Sequence, residues 1–268
     1  MTLSGGRAVE SGGLDGTLYA TAGPQTGGGQ RPAYVLLHGI GVSHRYLSRL
    51  HRELARDADV YSFDLPGFGG TPRPPRQLQV ADYAAFVLGA MAAERPGTFV
   101  VVGHSMGSQF AVEAALQAPD RVTAVVLMGP VVDAARRSVP RQAAALTKDA
   151  MFSESPGANS IVLTDYFRAG PRWYLTELPV MMAYAMEDRL AGVAQPVLVL
   201  RGARDPVARL PWCRRLAAAA RNGAVAEVAG QGHVFQHTAA GVAAAAISSW
   251  VRARTASALP PDPQHPVA

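Results

Sequence analysis

Short apolar runs recur along this chain, and each one ends at glycine, proline or a polar turn. Runs of about five residues predict strands that are buried on both faces, because they are too short for helices and are bounded by turn residues. Helical segments separate them, for example 45–55 and 80–93. Strands that alternate with helices predict an α/β protein with a mostly parallel central sheet flanked by helices. The runs lie at 33–37, 59–63, 98–102, 124–128, 196–200 and 224–228, and a weaker strand is expected at 17–21.

The alternation breaks after the fourth run, where the interval to Pro196 is too long for one crossover helix. This interval is rich in aromatic residues and methionine, which either fill the core of an inserted helical segment or face a pocket against the sheet. We predict both roles, with Trp173 and Met181 as candidates for the pocket. The predicted units are a lead-in with weak strands at 1–32, an α/β core at 33–133 and 191–255, a helical cap insertion at 134–190 and a disordered tail at 256–268.

The charge of the chain argues against nucleic acid as a partner. The net charge of +5 comes almost entirely from arginines that are scattered along the sequence, and Lys148 is the only lysine. Binding to nucleic acid would require clustered basic residues along one face. Cys213 stands alone, so no intramolecular disulfide is possible, and we expect it to pack in the core.

We also expect no membrane segment and no cofactor. No stretch approaches the apolar length that spans a bilayer, and the first residues have no signal-like apolar core, so a cytoplasmic protein with a small-molecule substrate is predicted. The turn at Gly39-Ile40-Gly41 lacks the third glycine of a nucleotide-binding fingerprint. The histidines do not have metal-ligand spacing with carboxylates or cysteine. The oligomeric state is left open by the sequence.

One strand runs directly into a serine held between glycines, GHSMG at 103–107. A Gly-x-Ser-x-Gly turn between a strand and a helix lifts the serine oxygen above the sheet, where it can act as a nucleophile. Alone, the pattern could also be an ordinary turn, since turns favour glycine and serine. Its position after a buried strand and before a helix makes Ser105 a candidate nucleophile.

A nucleophilic serine needs a base and an acid that orients the base. Asp205 and His233 follow predicted strands in the required order, so both are expected at the carboxyl edge of the sheet. His237 is the weaker alternative for the base and is expected at the surface or facing the cap. Asp133, which follows the fourth strand, is the alternative for the acid.

Backbone N–H groups are the expected donors to an oxyanion, one from the residue after the nucleophile and one from the loop after the first central strand. These are Met106 and Ile40. Gly39 in that loop and His104 beside the serine are, with Trp173 and Met181, candidate substrate contacts. The remaining histidines are not expected to take part in catalysis. His38 is expected to be structural, and His44, His51 and His265 are expected to be exposed to solvent.

At this point the chain resembles the α/β-hydrolase superfamily in its form with a helical cap. The resemblance rests on HGIG at 38–41, DLPGFGG at 64–70, GHSMG at 103–107, RGARDPV at 201–207 and GQGH at 230–233. It implies an α/β-hydrolase fold with an inserted cap, and it implies Ser105 as nucleophile, His233 as base and Asp205 as acid. A serine in place of aspartate at the turn argues against dehalogenase and epoxide hydrolase chemistry.

The predicted function is a serine hydrolase that cleaves a small or medium apolar carboxylic ester through an acyl-enzyme. One alternative is hydrolysis of a carbon–carbon bond in a diketone-like compound, for which Arg168 and Arg172 are weak candidates to hold a second carboxylate. Another is a non-catalytic ligand-binding member of the fold. The sequence does not distinguish the substrates.

Overall fold

A computed structural model of the chain describes residues 3–24, 33–95, 97–138, 140 and 156–258. Its centre is one sheet of eight strands in the order β1-β2-β4-β3-β5-β6-β7-β8. From β4 across to β8, each strand is parallel to the next one in this order, which confirms the predicted α/β class. Their bounds are β1 Arg7–Ser11, β2 Leu14–Thr21, β3 Ala33–Leu37, β4 Asp59–Asp64, β5 Phe99–His104, β6 Val122–Met128, β7 Val197–Gly202 and β8 Gly223–Val228.

The lead-in contains an antiparallel hairpin that adds two strands to one edge of the sheet. β1 pairs with β2, and β2 pairs antiparallel with β4. The turn between them consists of Gly12 and Gly13, both with positive φ, a conformation that glycine adopts without strain. β1 was not predicted, because an edge strand that is largely exposed lacks the apolar run of the buried strands.

Helices cover both faces of the sheet. Side chains of a strand alternate between the faces, so Val35 and Leu37 join the core on the side of α2 and α3, whereas Tyr34 and Leu36 join the core on the side of α1 and α9. The helices are α1 His44–Leu54, α2 Val80–Glu94, α3 Gly107–Gln117, α4 Pro156–Ala169, α5 Pro171–Ala183, α6 Met186–Leu190, α7 Leu210–Ala219, α8 Phe235–Thr238 and α9 Ala240–Ala258.

The interval between β6 and β7 is a helical insertion, as the aromatic-rich sequence indicates. It contains a short 3-10 turn at Ala134–Arg136 and the helices α4, α5 and α6, while residue 139 and residues 141–155 lie outside the described part. The insertion is tied to the core through α3. Gln109 Nε2 donates to the Met181 carbonyl at 2.9 Å, and Arg189 forms a bidentate pair with the buried Glu113.

The carboxyl-terminal helix continues further than expected. α9 extends to Ala258, three residues into the segment for which a disordered tail is predicted. Residues 259–268, including His265, lie outside the described residues.

Two histidines that we expected at the surface are buried, and that expectation is wrong for both. His44 is 6% exposed, and its Nδ1 lies 2.9 Å from Asp64 Oδ2. His51 is 1% exposed and lies between the hydroxyls of Ser62 and Thr21, each at 2.8 Å. Burial lowers the pKa of His51 to about 4. The error arises because both lie on the face of α1 that packs on the sheet, and that face carries polar as well as apolar residues.

Candidate active site

Ser105 lies on a sharp turn between β5 and α3. Its φ of 56° is the only positive φ of a non-glycine residue among those the structure describes, and such a conformation is strained. The turn is held by a hydrogen bond from the Ser105 N–H to the Met128 carbonyl at 2.9 Å. A Cβ at Gly103 would lie 2.0 Å from the Gly107 carbonyl oxygen, and one at Gly107 would lie 2.2 Å from the Leu37 oxygen. Both flanking positions therefore require glycine.

His233 and Asp205 come from the loops after β8 and β7, and they are hydrogen-bonded. His233 Nδ1 lies 2.9 Å from Asp205 Oδ2, while Asp205 Oδ1 accepts the N–H groups of Val207 at 2.7 Å and Ala208 at 3.0 Å. Burial alone would raise the pKa of the Asp205 carboxyl, but His233 and the two backbone N–H groups outweigh it and lower that pKa below its ordinary value. The carboxylate is therefore ionised and fixed in orientation.

The strand order brings the three predicted residues to one edge of the sheet. β6 lies between β5 and β7, and Gly129 follows it without a side chain. A Cβ at Gly129 would lie 3.0 Å from Cε1 and Nδ1 of His233 and 3.4 Å from Asp205 Oδ2. The imidazole thus occupies the space above Gly129, whose preceding residue Met128 accepts the Ser105 N–H. Ser105 itself is partly exposed, whereas His233 and Asp205 are buried.

The loop after β3 lies directly against Ser105. A Cβ at Gly39 would lie 3.0 Å from the Ser105 Cβ, so a side chain there would crowd Ser105. The Gly39 N–H is already used, since it donates to the Tyr46 hydroxyl at 2.8 Å. By contrast, within the part of the chain that the structure describes, the N–H groups of Ile40 and Met106 have no backbone acceptor. The two N–H groups predicted as oxyanion donors are therefore not committed to a backbone acceptor.

Tyr46 and His104 form a buried network behind the candidate site. His104 Nε2 lies 2.9 Å from the His233 carbonyl, which can only accept, so Nε2 carries the ring proton. Nδ1 of the neutral ring therefore accepts the proton of the Tyr46 hydroxyl, 2.7 Å away, while the hydroxyl oxygen accepts the Gly39 N–H. Burial lowers the pKa of His104 to about 3, so it stays neutral at physiological pH. Both ring nitrogens are engaged by protein atoms, so the structure does not support the expectation that His104 contacts substrate.

Tyr46 was missed because nothing in the local sequence distinguishes a helical tyrosine that packs from one whose hydroxyl joins two loops. It lies in the first turn of α1, and its partner His104 is 58 residues away in the sequence. Tyr46 follows Gly39 by seven residues, and this spacing is the one local feature that connects the two.

The two alternative assignments are placed elsewhere. Asp133 contacts Arg209 at 2.5 Å and Arg215 at 2.8 Å and accepts the Ala135 N–H, so its carboxylate is engaged away from His233. His237 is 4% exposed, so of its two expected positions, at the surface or facing the cap, the surface one is wrong. Burial lowers the pKa of His237 to about 4.

The cap residues predicted to face a pocket are both buried in the junction between cap and core. The Trp173 indole packs on Gly67, in the loop after β4, and its ring centroid lies 6.5 Å from that of Phe68. Met181 accepts a hydrogen bond from Gln109 through its carbonyl. The side chains that cover the loop beside Ser105 are instead Tyr166 and Tyr174, since a Cβ at Gly41 would lie 2.4 Å from the first ring and 3.0 Å from the second.

Among the described residues, no group of three or more potential ligands is arranged to hold a metal ion. In the same part of the chain, the helices are all too short or too polar to cross a bilayer.

Family models match most of the chain in two segments. A model described as alpha/beta hydrolase fold matches residues 32–152, and one described as TAP-like protein matches residues 164–256. The chain belongs to the α/β-hydrolase superfamily. Among solved structures, a thermophilic esterase from Thermogutta terrifontis superposes on this α/β-hydrolase with a TM-score of 0.78 at 18% identity, covering 93% of this chain and 98% of the esterase.

Curated relatives are similar to this α/β-hydrolase over part of their length. An uncharacterized protein from Mycobacterium tuberculosis is 32% identical over 100 residues, which are 37% of this chain and 29% of the relative. A pimeloyl-[acyl-carrier protein] methyl ester esterase from Chromobacterium violaceum is 38% identical over 100 residues, 37% of each chain. The chain thus spans about a third of the length of the curated relatives it matches.

Proposed function

We propose that this protein is a serine hydrolase that cleaves a small or medium apolar carboxylic ester through an acyl-enzyme. The observation that carries the proposal is the 2.9 Å hydrogen bond between Asp205 and His233, at the same sheet edge as Ser105 on its strained turn. An ester substrate is consistent with the curated relative that is named a methyl ester esterase.

In the proposed mechanism, Asp205 keeps the proton of His233 on Nδ1, so that Nε2 is the basic nitrogen. His233 Nε2 removes the Ser105 proton as Oγ bonds to the ester carbonyl carbon. The oxygen of that carbonyl becomes an oxyanion, which accepts the N–H groups of Ile40 and Met106. Collapse breaks the bond to the alcohol, which leaves with the proton from His233. Water then hydrolyses the acyl-enzyme by the same route and releases the acid.

The network behind the site supports these roles. With a pKa of about 3, His104 does not compete with His233 for a proton. Its bond to the His233 carbonyl holds the backbone that aims the base, and Tyr46 ties the same network to Gly39 beside the oxyanion donors. Loss of one oxyanion donor typically costs about 3 to 4 kcal/mol of transition-state stabilisation, so the position of this loop matters for the rate.

An apolar substrate is favoured by the cap. Tyr166 and Tyr174 lie over Gly41 with their ring centroids 5.4 Å apart. They place an aromatic surface above the loop at 38–41, which carries the Ile40 N–H and is called the oxyanion loop below. The alternative of carbon–carbon bond hydrolysis called for Arg168 and Arg172 to hold a second carboxylate. Both are exposed on the described part of the cap, so their positions do not favour that alternative.

The test is labelling with a fluorophosphonate, which forms an adduct with an activated serine, combined with turnover of p-nitrophenyl esters of increasing acyl length. Wild type is expected to give an adduct on Ser105 and to prefer short or medium chains, while Ser105→Ala loses both activities. Ser249→Ala, an exposed serine on α9, is the matched control and should behave as wild type. Folded wild type without an adduct on Ser105 would refute the proposal.

A further inference from the structure

Asp165 is a buried carboxylate in the cap that reaches the core. It lies on α4, is 1% exposed, and accepts hydrogen bonds from Ser43 Oγ at 2.5 Å and from Arg45 Nη1 at 2.7 Å. Ser43 is 122 residues away in the sequence. Burying a carboxylate is unfavourable unless its oxygens are paired, and here each oxygen has one partner from the core. The contact therefore defines how this part of the cap sits on the core.

The partners of Asp165 lie just after the oxyanion loop in the sequence, at the start of α1. Ser43 is the N-cap of α1, two residues after Gly41, and its Oγ accepts the Arg45 N–H at 3.3 Å while donating to Asp165. Tyr166, the next residue on α4, covers Gly41, where φ is 75° and a Cβ would lie 2.4 Å from the Tyr166 ring. The cap thus contacts Gly41 in the loop and Ser43 two residues after it.

From the core side, the same loop is held by hydrogen bonds that do not involve the cap. Gly39 donates to the Tyr46 hydroxyl, and His38 Nε2 accepts the Leu65 N–H at 3.1 Å. The Asp64 carboxylate accepts the His44 N–H at 2.7 Å at the start of α1. The core therefore holds the two ends of the segment, and Ile40 lies between the position fixed by Tyr46 and the position covered by the cap.

We propose that Asp165 is a positioning residue: by binding Ser43 and Arg45 it docks the cap on the oxyanion loop and so sets the position of the Ile40 N–H. The inference rests on the proposed serine hydrolase function. It makes the rate of the chemical step depend on a cap residue that does not touch the reacting atoms. Binding of an ester in the ground state depends less on the oxyanion donors than its transition state does.

Two substitutions weaken or remove the contact from opposite sides. Asp165→Asn keeps the shape but removes the charge that pairs with Arg45, and its amide N–H₂ would face the Ser43 hydroxyl, whose proton then loses its acceptor. Ser43→Ala removes the hydroxyl, while Ser43→Thr retains it and should rescue the function. Thr164→Ala, an exposed position beside Asp165 on the same helix, is the matched control.

The first measurement is kcat and KM for the preferred p-nitrophenyl ester. We expect kcat to fall roughly 10- to 100-fold in Asp165→Asn and in Ser43→Ala, because small displacements at a reacting centre have effects of that size. KM should change by less than about threefold, and the double variant should be no slower than the worse single one, since both remove the same contact. Unchanged kcat in a folded Asp165→Asn, or additive losses in the double variant, would overturn the inference.

A second measurement does not depend on the substrate. Hydrogen exchange of a peptide covering 36–43 is expected to become faster in Asp165→Asn and to stay at the wild-type rate in Thr164→Ala. An unchanged exchange rate in Asp165→Asn overturns the positioning role. Absence of a fluorophosphonate adduct on Ser105 in wild type instead refutes the proposed function, so the two failures are distinguishable.

Discussion

Replacing Asp205 by asparagine is expected to inactivate the protein through the tautomer of His233. In the wild type, Asp205 Oδ1 accepts the N–H groups of Val207 and Ala208, and Oδ2 accepts the proton on His233 Nδ1. An asparagine has one oxygen, and the two backbone donors hold it on their side. Its N–H₂ group must then face His233 Nδ1, which becomes an acceptor, so the ring proton moves to Nε2.

The size of the effect follows from these contacts. To act as a base, the ring would have to give up the bond from the asparagine, worth about 1 kcal/mol, and return its proton to Nδ1. Two buried donors would then face each other, each costing about 1 to 3 kcal/mol when unsatisfied. The sum is roughly 3 to 7 kcal/mol, which corresponds to a loss of about 10²- to 10⁵-fold in kcat.

Asp205→Ala provides the comparison that isolates the tautomer. Alanine removes the acceptor for Val207 and Ala208 and should therefore be less stable than asparagine, but it leaves His233 free to hold its proton on either nitrogen. We expect asparagine to have the higher melting temperature and alanine the higher kcat, measured by thermal unfolding and by p-nitrophenyl ester turnover. An asparagine variant within about tenfold of wild-type kcat would refute the reasoning.

Two further predictions concern buried carboxylates outside the Asp205–His233 pair. Asp133→Asn should leave kcat near that of wild type and lower the free energy of unfolding by about 1 to 3 kcal/mol, because its carboxylate binds two arginines and does not contact His233; a kcat loss as large as that of the asparagine variant at 205 would contradict this. Glu177 on α5 is buried with one oxygen bonded to the Leu78 N–H at 3.2 Å, and burial raises its pKa to about 7. Because the folded state then holds the proton more tightly than the unfolded chain, stability should fall as pH rises from about 4.5 to 7. Glu177→Gln should reduce this slope in melting temperature measured from pH 5 to 8, whereas the exposed Asp188→Asn should not; equal slopes in wild type and Glu177→Gln would show that Glu177 does not titrate in this range.

The local sequence was sufficient to predict those features that depend on residues close together in the chain. The buried parallel strands were predicted because a short apolar run between turns has few other uses in a globular protein. Ser105 was found for a similar reason: the turn needs glycine at 103 and 107, where a Cβ would meet backbone atoms, and that requirement is visible as letters in the sequence. The hairpin strand β1 was missed, since an exposed edge strand carries no comparable pattern.

The tertiary structure decided which side chains form hydrogen bonds with each other. From the sequence, both Asp133 and Asp205 could follow a strand and meet a histidine; the sheet order and the glycine after β6 bring only Asp205 to His233, 28 residues away. The same holds for Tyr46 with His104 and for the cap carboxylate of Asp165.

By itself, then, the sequence determined the strand and helix pattern, the serine turn and the set of candidate residues, because backbone conformation and strand burial follow from local residue types. Which side chains meet, which histidines are buried, and how the cap contacts the oxyanion loop were decided by folding. A hydrogen bond such as that of Ser43 with Asp165 joins residues 122 positions apart, and nothing at either position encodes the other until the sheet and the cap have been assembled.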